Sequence, residues 1–427
     1  MRERPSGKPA PAAARPSAEA GGPDGHGWKR DVGALMAASF IGFAGFTLVM
    51  PFLPLYVAEL GVTDVGAIAT WTGVALGITP AITALLAPLW GRLADRIGRK
   101  LLVVRSLVSF VVIMGAMAFV THPWQLLALR IVQGVFAGYG NLCLAMAADC
   151  APKQQVPQAL SLVQTSQRLG PALGPVLGGV VAGLVGLRQA FLVTAAFYAV
   201  ALVQLLVLYR EPRVHRAPSR DRRSAPLTFR SVLAFENFVI LMGVIFGVQF
   251  VDRSLGPVLP LHIAAMGVRD VAFTSGVMFS VIGLAAAAGH HVTAKRMRGR
   301  SSRALISRAA LAAAAAVAAA GVAPGLWTLA GAAGVFGYAV GAAMTVAYTT
   351  AAGVMPASVR GTGFGLLTSA SLVGVAASPM ISGLLAGIDL RAVFITDAVV
   401  LCVLALSVRR VMAETPAAAA SLAMEDA

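Results

Sequence analysis

Charge and cysteine are both scarce in this sequence. Only 12% of its 427 residues are charged, whereas 58% are hydrophobic; a soluble globular chain has about 25% charged residues. This deficit excludes an ordinary soluble domain and indicates a membrane protein. Three cysteines are too few for a disulfide framework, and no His or Cys cluster has metal-ligand spacing. No metal or other cofactor is therefore expected.

Several functional signatures are also missing. There is no G-x-x-x-x-G-K-S/T phosphate-binding loop, so direct use of ATP is not expected, and no catalytic constellation suggests an enzyme. The net charge of +16 is spread in short clusters between apolar runs, without aromatic interleaving, so nucleic acid is not an expected partner. Residues 1–30 lack the apolar core of a signal peptide. They are predicted to be a disordered cytoplasmic tail, as are residues 411–427.

Long apolar runs dominate what is present. A membrane-spanning helix needs about 20 mostly apolar residues, and twelve segments qualify. The expected fold is an all-α integral membrane protein in a lipid bilayer. The predicted spans are 33–57, 67–90, 101–120, 124–148, 159–184, 189–209, 237–263, 272–291, 304–322, 325–350, 361–386 and 391–408.

The distribution of Lys and Arg predicts the orientation of the spans. If the N-terminus is inside, the inner segments hold 26 of the 34 basic residues and the outer loops hold three. Inner loops of membrane proteins carry the excess of Lys and Arg. We therefore expect a multi-pass protein of the cytoplasmic (inner) membrane with both termini in the cytoplasm.

One phrase occurs twice. Residues 51–65 are PFLPLYVAELGVTDV and residues 257–271 are PVLPLHIAAMGVRDV, which agree at nine of fifteen positions. Such repetition at corresponding places predicts two homologous halves in parallel orientation. The expected domains are 31–209 and 236–410. Residues 210–235 form an Arg-rich cytoplasmic linker that either lies on the anionic membrane surface or is a simple spacer.

The loop between spans 2 and 3 is GRLADRIGRK at residues 91–100. Its glycines allow a tight turn, and its acid can pair with neighbouring basic residues. The corresponding second-half segment VTAKRMRGR has Arg296 where the first has an acid. The residues of the first-half motif are Gly91, Asp95, Arg96, Gly98, Arg99 and Lys100.

Two spans of the first half carry polar patterns. In span 4, Arg130, Gln133 and Asn141 recur at helical spacing and are predicted to share one face. An arginine inside a membrane is usually functional, although a purely structural role is the alternative. Span 5 contains a stripe of small residues for close helix packing and a proline that bends the helix, while Gln164 and Arg168 lie on another face. The stripe comprises Gly170, Gly174, Pro175, Gly178 and Gly179.

The repeated phrase supplies a second group of candidates. Its paired prolines are predicted to break the helix at a gate, or alternatively to mark a simple helix end. The residues concerned are Pro51, Pro54, Tyr56, Pro257 and Pro260.

Span 7 also contains Asp252 and Arg253, which span 1 lacks. Asp252 is either a protonatable coupling group or the acid of a structural pair with Arg253. Asp397 in span 12 is a second buried acid and a weaker candidate for proton coupling. The candidates for lining a substrate cavity are Gln133, Asn141, Gln164, Arg168 and Gln249.

These motifs together resemble the drug:proton antiporter-1 family of the major facilitator superfamily, in its MdtG-type branch, over about residues 30–410. The shared patterns are the 91–100 loop, R-x-x-Q-G in span 4, G-x-x-x-G-P-x-x-G-G in span 5 and P-x-x-P-x-Y in span 1. The resemblance implies two pseudo-symmetric six-helix bundles, a gating latch at the loop, and assistance of Arg130 in proton transfer.

The resemblance also implies a function. It predicts a monomer that exports small amphipathic compounds in exchange for protons, with the proton gradient as the energy source. Export of one native metabolite and proton-coupled uptake are the alternatives, and a membrane sensor that does not transport is a further one.

Overall fold

Twelve helices of the computed structural model are long and apolar enough to cross a membrane, which confirms the predicted number of spans. The structure describes residues 27–209, 233, 235–297, 299–356 and 360–414. The predicted terminal tails and linker lie almost entirely outside these ranges. Only the backbone is described for residues 88, 91, 92, 95, 153, 157, 360 and 361.

The helices follow one another through short connections. Those of the first half are α1 (Gly27–Leu48), α2 (Leu53–Glu59), α3 (Val65–Ile97), α4 (Arg99–Met117), α5 (Pro123–Phe136), α6 (Tyr139–Cys150), α7 (Val156–Val185) and α8 (Leu187–Leu208). Those of the second half are α9 (Phe238–Ala265), α10 (Val271–Arg296), α11 (Ser302–Gly321), α12 (Leu326–Val354), α13 (Arg360–Ala386) and α14 (Leu390–Val411).

The end of the repeated phrase encodes the same turn in both halves. Gly61 and Gly267 have φ of 94° and 74°, values that glycine adopts without the strain other residues incur. Asp64 and Asp270 then cap the next helix: each carboxylate accepts a hydrogen bond from the backbone N–H three residues later, at 2.7 and 3.0 Å. Such caps satisfy donors that a helix start leaves free. Local turn chemistry therefore explains why this sequence is repeated.

The prolines of the phrase act differently in the two copies. The first half is interrupted between Leu48 and Leu53, so the predicted break is confirmed there. The second copy lies within the continuous helix α9, with Pro257 and Pro260 inside it, so the same prediction is wrong. Residues 254–261 are all buried, and tight packing on every side keeps this stretch helical despite the missing N–H donors.

The glycine stripe of α7 packs directly on α1, as predicted. A β-carbon at Gly170 would lie 2.8 Å from the backbone nitrogen of Ala44, and one at Gly178 would collide with the carbonyl group of Leu48. Helices in lipid associate mainly through such close van der Waals contact, because lipid chains are as apolar as the helices. Gly170, Gly174 and Gly178 therefore form a structural seam within the first half, whereas a β-carbon at Gly179 would lie 2.6 Å from the carbonyl oxygen of Ala272 in the second half.

The halves are joined mainly where α3 packs on α13 and α7 packs on α10, and α9 also contacts α2 and α3. A β-carbon at Gly73 would collide with the carbonyl of Pro379, and one at Gly276 with the carbonyl of Pro175. These approaches lie toward the end of the bundle that holds loops 61–64 and 266–270, opposite the end where α1 begins and α14 ends. The halves therefore meet away from the chain termini.

We expect Gly178→Ala to lower the melting temperature of the purified protein, because the added methyl group must displace the α1 backbone. Overpacking of this kind costs about 1–3 kcal/mol. Gly331→Ala is the matched control: nothing lies within 4 Å of the added carbon in α12, and alanine favours helix. Thermal unfolding in detergent measures both. Equal melting temperatures for the two variants would contradict the packing role of Gly178.

Candidate functional site

A fully buried arginine lies in the first half. Arg130 and Gln133, both on α5, are 1% and 0% exposed. Nη1 of Arg130 donates to Oε1 of Gln133 at 3.1 Å. Nε and Nη2 of Arg130 and Nε2 of Gln133 are buried without a partner. A guanidinium has five N–H donors and needs acceptors or an opposite charge when buried. This pair therefore has unused capacity to bind an anion or an acceptor.

The helix that carries Arg130 ends soon after it. A break at Ala137 and Gly138 separates α5 from α6, and Gly138 has φ of 101°. The carbonyl freed at Phe136 accepts a hydrogen bond from the Ser106 hydroxyl at 2.6 Å. Asn141 is exposed beyond the break, so Arg130 and Asn141 do not lie on the one uninterrupted helix that the prediction assumed.

Charged side chains of both halves lie within electrostatic range of one histidine. Arg168 on α7 and Asp252 on α9 are close enough to His290 on α10 for their charges to act on it. Oδ2 of Asp252 lies 3.3 Å from Nε of the adjacent Arg253, and Nδ1 of His290 forms a hydrogen bond with the Thr345 hydroxyl at 2.8 Å. We call Arg168, Asp252, Arg253 and His290 the inter-half cluster.

His290 is the member of this cluster that sequence reasoning missed. The predicted span ended at residue 291, which placed the histidine at the membrane boundary. In the structure α10 continues to Arg296, so His290 lies almost two turns inside the helix. Had the polar residues after 291 been assigned to the same helix, the histidine would have been recognised as internal.

The predicted polar lining has its own contacts. Gln249 on α9 donates through Nε2 to the Ser371 hydroxyl on α13 at 3.2 Å. On α7, Gln164 and Arg168 are exposed while Gly170 is buried against α1. This arrangement agrees with the prediction that one face of the helix packs and another stays open.

The second buried acid lies within the second half. Asp397 on α14 is 1% exposed, and its carboxyl group is hydrogen-bonded to the Ser254 hydroxyl on α9. The same hydroxyl lies 2.8 Å from the carbonyl of Val251. Ser254 and Asp252 are two residues apart, so they point to nearly opposite sides of α9. One helix thus carries an acid toward the inter-half cluster and a hydroxyl toward Asp397.

The 91–100 loop is tied to its own half. Nη1 of Arg99 lies 2.7 Å from Oδ2 of Asp149 on α6, and Nζ of Lys100 donates to the carbonyl of Tyr209 at 2.8 Å. Gly98 makes the turn with φ of 100°, and Arg96 is exposed. The side chain of Asp95 lies outside the described part of the chain, and only the backbone is described at Gly91.

The first proline phrase is anchored by its tyrosine. The Tyr56 hydroxyl donates to the carbonyl of Met117 at 2.6 Å, and its ring packs 4.8 Å from that of Phe191. Burial raises the pKa of Tyr56, although nearby Arg188 opposes this effect. The phenol therefore stays protonated and remains a donor. This contact fixes α2 against the turn that follows α4.

Within the described ranges, no group of three or more His, Cys, Asp or Glu side chains is arranged to hold a metal ion.

Comparison with known proteins identifies the family. The family model described as Major Facilitator Superfamily matches residues 35–320. Multidrug resistance protein MdtG of Proteus mirabilis (strain HI4320) is 34% identical over 266 residues, which are 62% of this chain and 66% of that protein. The multi-drug resistance efflux pump PmrA homologue of Lactococcus lactis subsp. lactis (strain IL1403) is 32% identical over 265 residues, 61% of this chain and 64% of that one. These alignments thus span slightly less than two thirds of each relative.

Solved structures show the same fold. A bacterial homologue of the human lysosomal transporter Spinster, inward-facing and unoccupied, superposes with a TM-score of 0.72 at 17% identity, covering 95% of this chain and 99% of that one. The human organic anion transporter MFSD10 gives a TM-score of 0.62 at 22% identity, covering 89% and 99%. The predicted fold and the resemblance are confirmed: the chain belongs to the Major Facilitator Superfamily, whose members are multi-pass transporters rather than enzymes.

Proposed function

We propose that this protein exports small amphipathic compounds across the cytoplasmic membrane in exchange for protons. The observation that carries the proposal is the inter-half cluster, in which α7 of one half and α9 and α10 of the other bring charges to one place. When two halves rock against each other around a site, the contacts and hydration of such charges change. The multidrug names of the relatives from Proteus and Lactococcus support the choice of cargo.

The conformation fits one state of an alternating-access cycle. With both termini in the cytoplasm, the close approaches at Gly73 and Gly276 shut the outer side. The cargo site then opens inward. In this state Arg99 pairs with Asp149 of its own half, and the loop acts as a latch between halves only when the inner side closes. The two halves that rock against each other are proposed to be residues 31–209 and 236–410.

Asp252 is the proposed proton carrier of the cluster. It is paired with Arg253 and is within electrostatic range of His290, so we propose that cargo and proton compete for one local charge balance. Oδ2 of Asp252 is 3.3 Å from Nε of Arg253 in this state, and rocking of the halves would change what surrounds this pair.

Asp397 is proposed to hold a second proton in this state. Ser254 has one hydroxyl hydrogen but contacts both Val251 O and the Asp397 carboxyl. Both contacts are full hydrogen bonds when a protonated Asp397 donates to Ser254 and Ser254 donates to Val251. A neutral acid also suits a site that is 1% exposed and contains no described cation partner.

Arg130 is proposed to assist proton transfer from the first half. Its unpaired Nε and Nη2 groups offer a site that an acid or an ordered water can reach as the halves rearrange. Retaining an uncompensated cation in a membrane costs several kcal/mol, which a purely structural role does not explain.

We expect Asp252→Asn to reduce cargo-triggered proton release at least about tenfold, because an amide cannot carry the proton. Purified protein in liposomes with an acidic lumen would receive external amphipathic cations one at a time while lumenal pH is recorded. Wild type should make the lumen more alkaline. Asp64→Asn is the matched control, since Asn caps a helix as well as Asp and this position is far from the cluster.

The direction of the lumenal pH change, and its dependence on each variant, distinguish the alternatives. Release that persists in Asp252→Asn but is lost in Asp397→Asn would move the coupling role to Asp397. Acidification of the lumen on adding cargo would indicate symport and overturn the export proposal. Absence of any response to every cation tested would favour a narrow metabolite exporter.

We expect Arg130→Met to leave the melting temperature unchanged or higher while transport falls at least about tenfold. Replacing a buried ion by an apolar residue of similar length is often neutral or stabilising, so this variant separates function from folding. Arg130→Ala should lose transport as well. Full transport by either variant would show that Arg130 has no coupling role, and a parallel loss of stability and transport would favour the structural alternative.

A further inference from the structure

A cavity of about 290 Å³ lies within the second half, bounded by α10, α11 and α12. It has a basic mouth and an apolar interior. Its lining includes Arg296, Arg300, Arg308, Thr293, Tyr338 and Ala312. The three arginine side chains are exposed, so the cavity is open to its surroundings.

The three arginines of this cavity have no acidic partner among the described residues. Other arginines nearby do have partners: Arg303 pairs with Glu414, and Arg409 donates to the Ser307 hydroxyl at 2.8 Å. Three like charges around one small cavity repel one another. They therefore create a strong local preference for an anion.

The sequence repeat shows that this charge excess is particular to the second half. Arg296 stands at the position that Asp95 occupies in the 91–100 loop. The first copy of the loop thus includes an acid among its basic residues. The second copy replaces that acid by another cation and leaves no internal counter-charge.

The arginines occupy one end of the cavity and apolar residues the other. Arg296 is the last residue of α10, and Arg308 is the seventh of α11, about 9 Å along that helix from its start. Ala312 lies one turn deeper, and Ala339 and Ala342 on α12 also line the cavity. This gradient from cationic to apolar matches a molecule with an anionic head and a hydrocarbon tail.

The lining of the cavity differs from the residues of the inter-half cluster. One wall is α11, which packs on α12 and α14, whereas the contacts with the first half are made by α9, α10 and α13. No member of the inter-half cluster is among the residues that line the cavity, although α10 carries both His290 and the lining residue Thr293.

We propose that this cavity binds an acidic phospholipid of the surrounding membrane. The guanidinium groups of Arg296, Arg300 and Arg308 hold the phosphodiester group, since guanidinium and phosphate match in charge and in hydrogen-bond geometry. One acyl chain lies over the alanines deeper in the cavity. Basic pockets between membrane helices, on the side where positive residues collect, are the kind of site that acidic lipid headgroups occupy.

The test is lipid binding by the full-length protein in detergent, measured by native mass spectrometry with short-chain phosphatidylglycerol. We expect one tightly bound lipid on wild type. The variant Arg296→Gln/Arg300→Gln/Arg308→Gln should bind it at least about tenfold more weakly. The matched control Lys29→Gln/Lys295→Gln/Arg410→Gln removes the same charge from exposed positions outside the cavity and should bind like wild type. Both variants should unfold at the wild-type temperature without lipid.

Three further arms identify the ligand. Phosphatidylcholine should bind wild type more weakly than phosphatidylglycerol, because it has no net charge. Inorganic phosphate should compete only at much higher concentration. Ala312→Phe, at an exposed position, should weaken lipid binding while sparing phosphate. The proposal is overturned if the cavity variant binds as well as the control, if the two lipids bind equally, or if phosphate alone competes at lipid concentrations.

Discussion

Contact between helix backbones at glycine is the interaction on which the rest of this structure depends. In a bilayer, apolar side chains gain nothing by leaving lipid for one another, so helices must hold together by close fit. The same device joins α1 to α7 at Gly178 and joins the two halves at Gly73 and Gly276. Close packing at glycine therefore holds α1 and α7 together within one half. It also forms the contacts between the halves, which must separate in the proposed mechanism.

Buried charge is distributed unequally over this scaffold. The first half contains a guanidinium without an acid, Arg130, whereas the second contains the acids Asp252 and Asp397. Membrane burial makes each of these groups costly, and duplication alone would have given both halves the same set. Just before the repeated phrase, the first half has Phe46 and Thr47 at the positions of Asp252 and Arg253. The two halves have thus diverged in charge while keeping a common fold.

Much of this architecture could be predicted from the sequence, because apolar length, glycine spacing and turn residues act locally. The twelve spans, the α7 stripe and the break before Pro54 follow from such signals. The unbroken α9, the break at Gly138 and the internal position of His290 do not. These three features depend on neighbouring residues. Burial keeps α9 helical despite its two prolines, and the Ser106 hydroxyl donates to the carbonyl that the break near Gly138 frees. The polar residues after the apolar run of α10 remain helical.

The interrupted start of the first half and the continuous α9 of the second have different mechanical properties. A joint between α1 and α2 can absorb a change of angle in a few backbone torsions, while α9 must transmit displacement along its 28 residues. Asp252 and Ser254 both lie on α9, so a shift of its C-terminal end moves Asp252 and the hydrogen-bond partner of Asp397 together. The first half thus begins with two helices that can bend at their junction, whereas the second half begins with one stiff helix. Asp252 lies on that stiff helix.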